Sequence, residues 1–252
     1  MDNAQDKLKF KFGLVGRNIS YSFSRNYFAE KFGKENLKHS YVNFDIESID
    51  ELLNVIKITP NLKGLNVTIP YKEEVIPLLD DLNKRARKIG AVNTIRFKEN
   101  KLIGYNTDYY GFKNSLKPYL KKHHKSALIL GTGGASKAIA YALKKLKIKF
   151  DYVSRSNKKG VKFQYSDLNN DIISNYKIII NCTPIGTFPD VDQCPNIPYD
   201  SINEKHILYD LIYNPERTKF LSYGEKKGAT VINGLKMLEL QAEKSWQIWN
   251  KS

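Results

Sequence analysis

LILGTGGASKA, residues 128–138, is an apolar run that breaks into glycines and resumes as helix-forming residues. Ala127 to Leu130 has the length and branching of a strand buried on both faces. Gly131, Gly133 and Gly134 follow in the order GxGGA, and Ser136 to Lys147 reads as an amphipathic helix. In this setting each part has a physical use. The first glycine permits a sharp turn, and the second lets the backbone approach a pyrophosphate. The helix N-terminus then offers unpaired N–H groups and the positive end of its dipole. A glycine turn alone is common, but one set between such a strand and such a helix reads as a dinucleotide-binding turn.

The next strand, Phe150 to Val153, ends in Ser154-Arg155-Ser156, about 20 residues after the turn. A carboxylate at that tip would hold the ribose hydroxyls of NAD, and none stands there. A guanidinium between two hydroxyls, followed by Lys158 and Lys159, suits a dianionic 2′-phosphate, so the expected cofactor is NADP. Lys177 to Cys182 and His206 to Leu211 read as further strands, and Leu235 to Trp249 as a terminal helix.

Upstream lies a second alternating pattern. Phe12 to Val15, Tyr41 to Asp45 and Gly64 to Ile69 read as strands. Arg25 to Phe32, Ser48 to Ile58 (capped by Ser48 or Asp50) and Glu73 to Lys88 read as helices. Ala91 to Phe97 and Lys101 to Tyr105 form a hairpin pair, and Asp108 to Leu120 a connecting helix. The expectation is two α/β domains, this one with a largely parallel sheet.

Bulk properties narrow the class. A chain of 252 residues can build two modest cores, and its 41% of hydrophobic residues is ordinary for a soluble protein. No run approaches the ~18 apolar residues of a membrane helix, and the first residues show no apolar secretion signal. The two cysteines, Cys182 and Cys194, form no CxxC and read as reduced thiols of a cytoplasmic protein. His39, His123, His124 and His206 lack metal-ligand spacing, so no metal site is expected. The net charge of +15 comes from lysines spread along the chain, densest at 121–125, 144–149 and 158–159. That reads as a solvated surface that also steers anionic ligands, since no nucleic-acid motif accompanies it.

The first domain carries polar motifs without a cysteine or histidine nucleophile: Ser22-Phe23-Ser24, Asn66 to Lys72, Ala91 to Thr94 and Asn106 to Asp108. Hydroxyls, amides, one lysine and one aspartate suit a small polyhydroxylated acid, and a Lys–Asp pair can manage a proton beside a carbinol carbon.

With the turn 131–135, Asn181 to Gly186 and Gly234 to Gln241, these motifs give the order S-x-S, NVTxPxK, AVNT, NTDxxG, GxGGA, N-x-TPxG and GxxMLxxQ. Over nearly the whole chain this order resembles the shikimate dehydrogenase family. The resemblance implies a substrate-binding domain, residues 1–108 with 236–252, and a Rossmann-type doubly wound NADP-binding domain, 109–235. It implies NADPH-dependent reduction of 3-dehydroshikimate to shikimate by a monomer or homodimer that binds neither nucleic acid nor membrane. Carried onto this sequence, Ser22 and Ser24 hold the substrate carboxylate. Thr68, Asn93 and Gln241 hold ring hydroxyls, supported by Asn66 and Tyr213. Lys72 and Asp108 manage the proton. Gly131, Gly133, Gly134 and Ala135 cradle the pyrophosphate, while Ser154, Arg155 and Ser156 take the 2′-phosphate. Thr183 and Gly234 lie along the nicotinamide half.

This sequence departs from the family pattern in having Tyr21 before the first serine, Arg25 after the second, Ser154-Arg155-Ser156 at the phosphate loop and GTGGA at the turn. The hydroxyl and guanidinium chemistry survives each change. Read alone, Tyr213 would be a core tyrosine, and Trp246 and Trp249 read as packing residues. The rival readings are a dual quinate/shikimate dehydrogenase and a non-catalytic NADP-sensing protein on the same fold. The S-x-S motif and the Arg155 loop oppose the first, and an intact Lys72 and Asp108 the second.

Overall fold

The apolar run at Phe12 forms β1 (Lys11–Gly16), whose side chains are almost entirely buried. The structure, a computed structural model, describes residues 9–20, 22–157 and 159–251; the N-terminal residues read for a signal, Tyr21 and Lys158 lie outside the described residues. The chain divides into two units. One runs to Thr107 and takes back the chain from Gln241 onward; the other is Asp108–Leu240.

In the first unit β1 is followed by α1 (Phe23–Lys34), β2 (Ser40–Asp45), α2 (Leu52–Ile58), β3 (Leu62–Val67), β4 (Asp81–Leu82), α3 (Lys84–Ile89), β5 (Thr94–Lys98) and β6 (Lys101–Tyr105). The strands form one sheet in the order β2-β1-β3-β5-β6-β4. It is largely parallel, as expected, with one reversed strand: β1 runs parallel to β2 and β3, and β4 to β6, while β5 opposes both β3 and β6. The reversal comes from Glu99 and Asn100, both at positive φ (50° and 61°), which make the two-residue turn that a hairpin twist favours.

The helix expected over Glu73 to Lys88 is replaced by a short turn at Ile76–Leu78, β4 and then α3. Pro77 cannot donate to a continuing helix, and the Asn83 side chain accepts from the Arg85 N–H (3.1 Å), starting α3 afresh. The apolar residues of this stretch, Val75, Ile76, Leu79 and Ala86, still pack into one core, which is why their spacing resembled a single helix.

Because β1, β3 and β6 share a direction and β5 opposes them, the C-terminal ends of the first three and the start of β5 lie on one edge of the sheet. Every polar motif of this half leaves or enters the sheet there.

The second unit contains α4 (Asp108–Leu116), β7 (Ser126–Leu130), α5 (Gly134–Lys145), β8 (Lys149–Ser154), β9 (Phe163–Gln164), α6 (Asn170–Asn175), β10 (Ile178–Asn181), β11 (Ile207–Asp210), α7 (Lys219–Lys226) and β12 (Thr230–Ile232). Its sheet, ordered β12-β11-β10-β7-β8-β9, is parallel throughout. Ala127 and Ile129 face one core while Leu128 and Leu130 face the other, as a sheet covered by helices on both faces requires. Helix α8 (Leu235–Trp249) closes the chain. From Gln241 it belongs to the first unit, where Trp249 stacks on Phe12 at 4.9 Å and donates its indole N–H to the Ile95 carbonyl (3.0 Å). Among the described residues no helix is long and apolar enough to cross a membrane, and no cluster of ligating side chains is arranged for a metal ion.

Candidate active site

In the first unit the edge described above carries a buried polar cluster. Asn66, at the end of β3, donates through Nδ2 to the Asn93 carbonyl (3.0 Å), Thr94 Oγ1 (3.2 Å) and Ser245 Oγ (3.0 Å). Its Oδ1 accepts from the Tyr41 hydroxyl (2.8 Å), which is also hydrogen-bonded to Ser24 and whose pKa burial pushes upward. Asn93 Oδ1 accepts from the Thr107 N–H (2.6 Å), and Asn93 Nδ2 donates to Thr107 Oγ1 (2.9 Å) and Gln241 Oε1 (3.3 Å). Asn66, Asn93 and Gln241 are thus tied into one network although they stand far apart in the chain. Amides held in this way are fixed in orientation.

The other motif residues of this unit surround the same edge. Ser22 is the N-cap of α1, its hydroxyl accepting from the Arg25 N–H (3.1 Å), and Ser24 is buried in the first turn. Thr68, half-buried, follows β3 and donates its backbone N–H to the Val15 carbonyl (2.9 Å). Lys72 is half-buried, its carbonyl held by the Val92 N–H (2.7 Å). Asp108 is the next residue after Thr107, buried at the start of α4. By the division of the chain, Asp108 is counted with the second unit and Lys72 with the first.

The second unit gathers its motif residues at the C-terminal ends of parallel strands, the edge where open α/β sheets bind ligands. Gly131 leaves β7 at φ 100°, a conformation suited to glycine, and an added Cβ would lie 3.0 Å from Thr183 Cγ2. Gly133 is the N-cap of α5, with no side-chain cap, and nothing lies within 4 Å of where its Cβ would be. The first turn of α5, including Gly134 and Ala135, has backbone N–H groups without partners inside the helix and no side-chain cap from Gly133. That is the arrangement a pyrophosphate requires. Ser154 ends β8 buried, and Arg155 and Ser156 beyond it are exposed. Asp151, three residues before Ser154 in β8, is engaged by Lys162 (3.1 Å) and the Tyr176 hydroxyl (2.5 Å). These residues fit a dinucleotide carrying a 2′-phosphate.

Thr183 follows β10, its N–H and hydroxyl both donating to Asn181 Oδ1 (3.0 and 2.6 Å). Tyr213, half-buried, lies just past β11. Gly234 packs so closely on the Leu211 carbonyl that a side chain there would collide with it. Buried Asp210 ends β11; loss of hydration pushes its carboxyl up to about 6, against hydrogen bonds from Thr218, the Ile212 N–H and Asn181.

Sequence reasoning missed Tyr41 and Ser245 in the first unit and Asp210 and Thr218 in the second, and it quoted Thr94, Thr107 and Asn181 within motifs without giving them a role. Ser245 carried a usable signal: it stands one helical turn after Gln241, on the same face of α8.

The description "Shikimate dehydrogenase substrate binding domain" belongs to the family model that matches residues 14–95. A shikimate dehydrogenase (NADP+) of Clostridium botulinum is 40% identical, the alignment covering 94% of this chain and 95% of that protein. Its counterpart from Methanosphaera stadtmanae is 38% identical, with 94% and 90% covered. The crystal structure of shikimate 5-dehydrogenase from Thermus thermophilus in complex with NADP(H) and shikimate superimposes with a TM-score of 0.85 at 28% identity, covering 96% of this chain and 93% of that one.

Proposed function

This chain belongs to the shikimate dehydrogenase family, and from that premise we propose how its residues divide the work. The reaction is the reversible reduction of 3-dehydroshikimate to shikimate, with NADP(H) as cofactor, on the pathway to chorismate and the aromatic amino acids. When bound, NADPH supplies the hydride for the ketone carbon.

On the substrate side, Ser22 and Ser24 donate hydroxyl hydrogen bonds to the carboxylate. Thr68, Asn93 and Gln241 read the ring hydroxyls, with Asn66 and Tyr213 supporting them. The buried network through Asn66, Asn93 and Gln241 is the observation that carries this reading. Fixed amides at one sheet edge can hold a polyhydroxylated ring in a single pose, and a substrate lacking a matching hydroxyl would leave buried polar groups unpaired. Lys72 gives the reacting oxygen its proton in reduction and takes it back in oxidation. Asp108 orients substrate and lysine for that transfer.

On the cofactor side, the turn from Gly131 to Ala135 holds the pyrophosphate, and Ser154, Arg155 and Ser156 hold the 2′-phosphate. Thr183 and Gly234 border the nicotinamide half. The two free thiols, Cys182 and Cys194, accord with a cytoplasmic setting.

The test is an absorbance assay at the reduced-nicotinamide band that crosses shikimate and quinate with NADP and NAD. Shikimate with NADP is expected to give the highest kcat/KM. Equal rates with quinate, or with NAD, would overturn the specificity argued here.

A further inference from the structure

Under the strand ends of the second unit runs a chain of buried polar side chains with no part in the roles assigned so far. Asn181 and Asp210 are fully buried at the ends of adjacent strands β10 and β11, and Thr218, nearly so, caps α7. The Asn181 Nδ2 donates to Asp210 Oδ1 (3.1 Å) and to the Ile185 carbonyl (3.3 Å). Its Oδ1 accepts from the N–H and the hydroxyl of Thr183 (3.0 and 2.6 Å). Asp210 is held on its far side by the Thr218 hydroxyl (2.7 Å) and by the Ile212 N–H (3.1 Å).

The direction of every bond in this chain is determined. An ionised carboxylate and a backbone carbonyl only accept, so the amide of Asn181 must turn its NH2 toward Asp210 and Ile185. Its oxygen then faces Thr183. That oxygen claims the Thr183 hydroxyl proton, and one hydroxyl lone pair accepts from the Ile185 N–H (3.3 Å). What the hydroxyl can still offer a ligand is an acceptor. Rotating the amide would set three acceptors against one another and two N–H donors face to face, each of them buried or half-buried.

We infer that Asp210 and Asn181 are positioning residues for the cofactor: they fix the hydrogen-bonding sense of Thr183, so that its hydroxyl accepts from an N–H donor such as the nicotinamide carboxamide. This rests on the placement of Thr183 beside the nicotinamide half. The effect is local, because the glycine turn and the Arg155 loop take no part in the chain of bonds.

The experiment compares two ligands by calorimetric titration of the whole protein: NADP, and 2′-phospho-ADP-ribose, which keeps the phosphates and adenosine but has no nicotinamide. Asn181→Leu is expected to weaken NADP on the order of tenfold and to leave the fragment within about twofold. Thr218→Val, which keeps shape and removes one donor to Asp210, should weaken NADP by about threefold with the fragment again unchanged. It carries the same test if Asn181→Leu fails to fold. Asp210→Asn retains an oxygen for Asn181 and Ile212 and is expected to bind NADP nearly as the wild type does. Parallel losses for both ligands would mean a merely structural role and overturn the inference; so would unchanged NADP binding, or an Asp210→Asn variant as impaired as Asn181→Leu. Wild-type turnover of shikimate with NADP separates the two levels: a protein active in that assay whose variants lose both ligands in parallel keeps its assigned reaction and loses this inference.

Discussion

Two helices begin at the ligand edges of their sheets, and they begin differently. Helix α1 is capped by the Ser22 hydroxyl, while α5 starts at Gly133 with no side-chain cap and open space in front of it. The same contrast holds across each unit. The first builds its edge from buried amides and hydroxyls that satisfy one another, while at its glycine turn the second presents backbone, with charge on an exposed loop and its buried polar chain confined to the ends of β10 and β11. A hydroxylated ring must be read atom by atom, which needs fixed side chains. A pyrophosphate needs N–H groups and close approach, which any side chain would obstruct. Deletion of a side chain should therefore harm the first unit most, and addition of one should harm the second.

The largest effect is expected from deletion at Lys72. Lys72→Ala should lower kcat by ~10²–10⁴-fold with little change in KM for shikimate, since the lost proton transfer belongs to the transition state. Asp108→Asn, which keeps shape, should cost ~10²-fold or more in kcat. Steady-state kinetics on folded protein makes the check, and near-native kcat in Lys72→Ala would remove the lysine from the proton transfer.

Addition at Gly133 comes next. Its φ of −76° and ψ of 179° are open to any residue, and the site is roomy, so Gly133→Asp folds without strain. A carboxylate there caps α5 and favours its dipole, so the melting temperature should hold or rise. The same carboxylate stands where the pyrophosphate would bind, so NADP affinity should fall on the order of 100-fold, with both charges competing for one set of N–H groups. Thermal melts and NADP titration together make the check, and undiminished NADP binding would remove α5 from the cofactor site.

A smaller loss is expected at the exposed loop. Arg155→Ala removes a charge-assisted contact worth ~1.5–3 kcal/mol, or roughly 10- to 150-fold in NADP affinity, with NAD nearly unchanged. Equal losses for both cofactors would show that Arg155 supports the loop rather than reads the phosphate.

The two units were also unequally legible. The turn at Gly131 could be read because glycine at positive φ leaves a mark in sequence, and α8 could be read from Leu235 to Trp249 because its apolar spacing is helical throughout. The shorter elements β4, α6, α7 and β12 carry too few residues for a period to emerge, and Pro77 divided an apparent helix whose apolar spacing served packing instead. In the candidate site, residues inside motifs could be named in advance. Tyr41, Ser245, Asp210 and Thr218 could not, because a lone polar residue becomes a buried partner only when the sheet brings its neighbour to it. Asn66 and Ser245 meet in the folded cluster although they are remote in sequence.

The finest test falls on Ser22, where capping and binding share one atom. Its oxygen accepts from the Arg25 N–H at 3.1 Å, which leaves the hydroxyl proton to be donated to a carboxylate. Ser22→Ala loses both roles and should destabilise the protein by about 1 kcal/mol, whereas Ser22→Gly, a tolerated cap, should cost only a few tenths. If the hydroxyl also binds substrate, the two variants share the same raised KM for shikimate, since neither has a proton to give. If it serves α1 alone, KM follows stability and the glycine variant returns to the wild-type value. Urea midpoints give the first quantity and steady-state kinetics the second. A glycine variant that recovers both would move carboxylate binding to Ser24, leaving the capped helix end of the first unit as purely structural as the uncapped end of the second is functional.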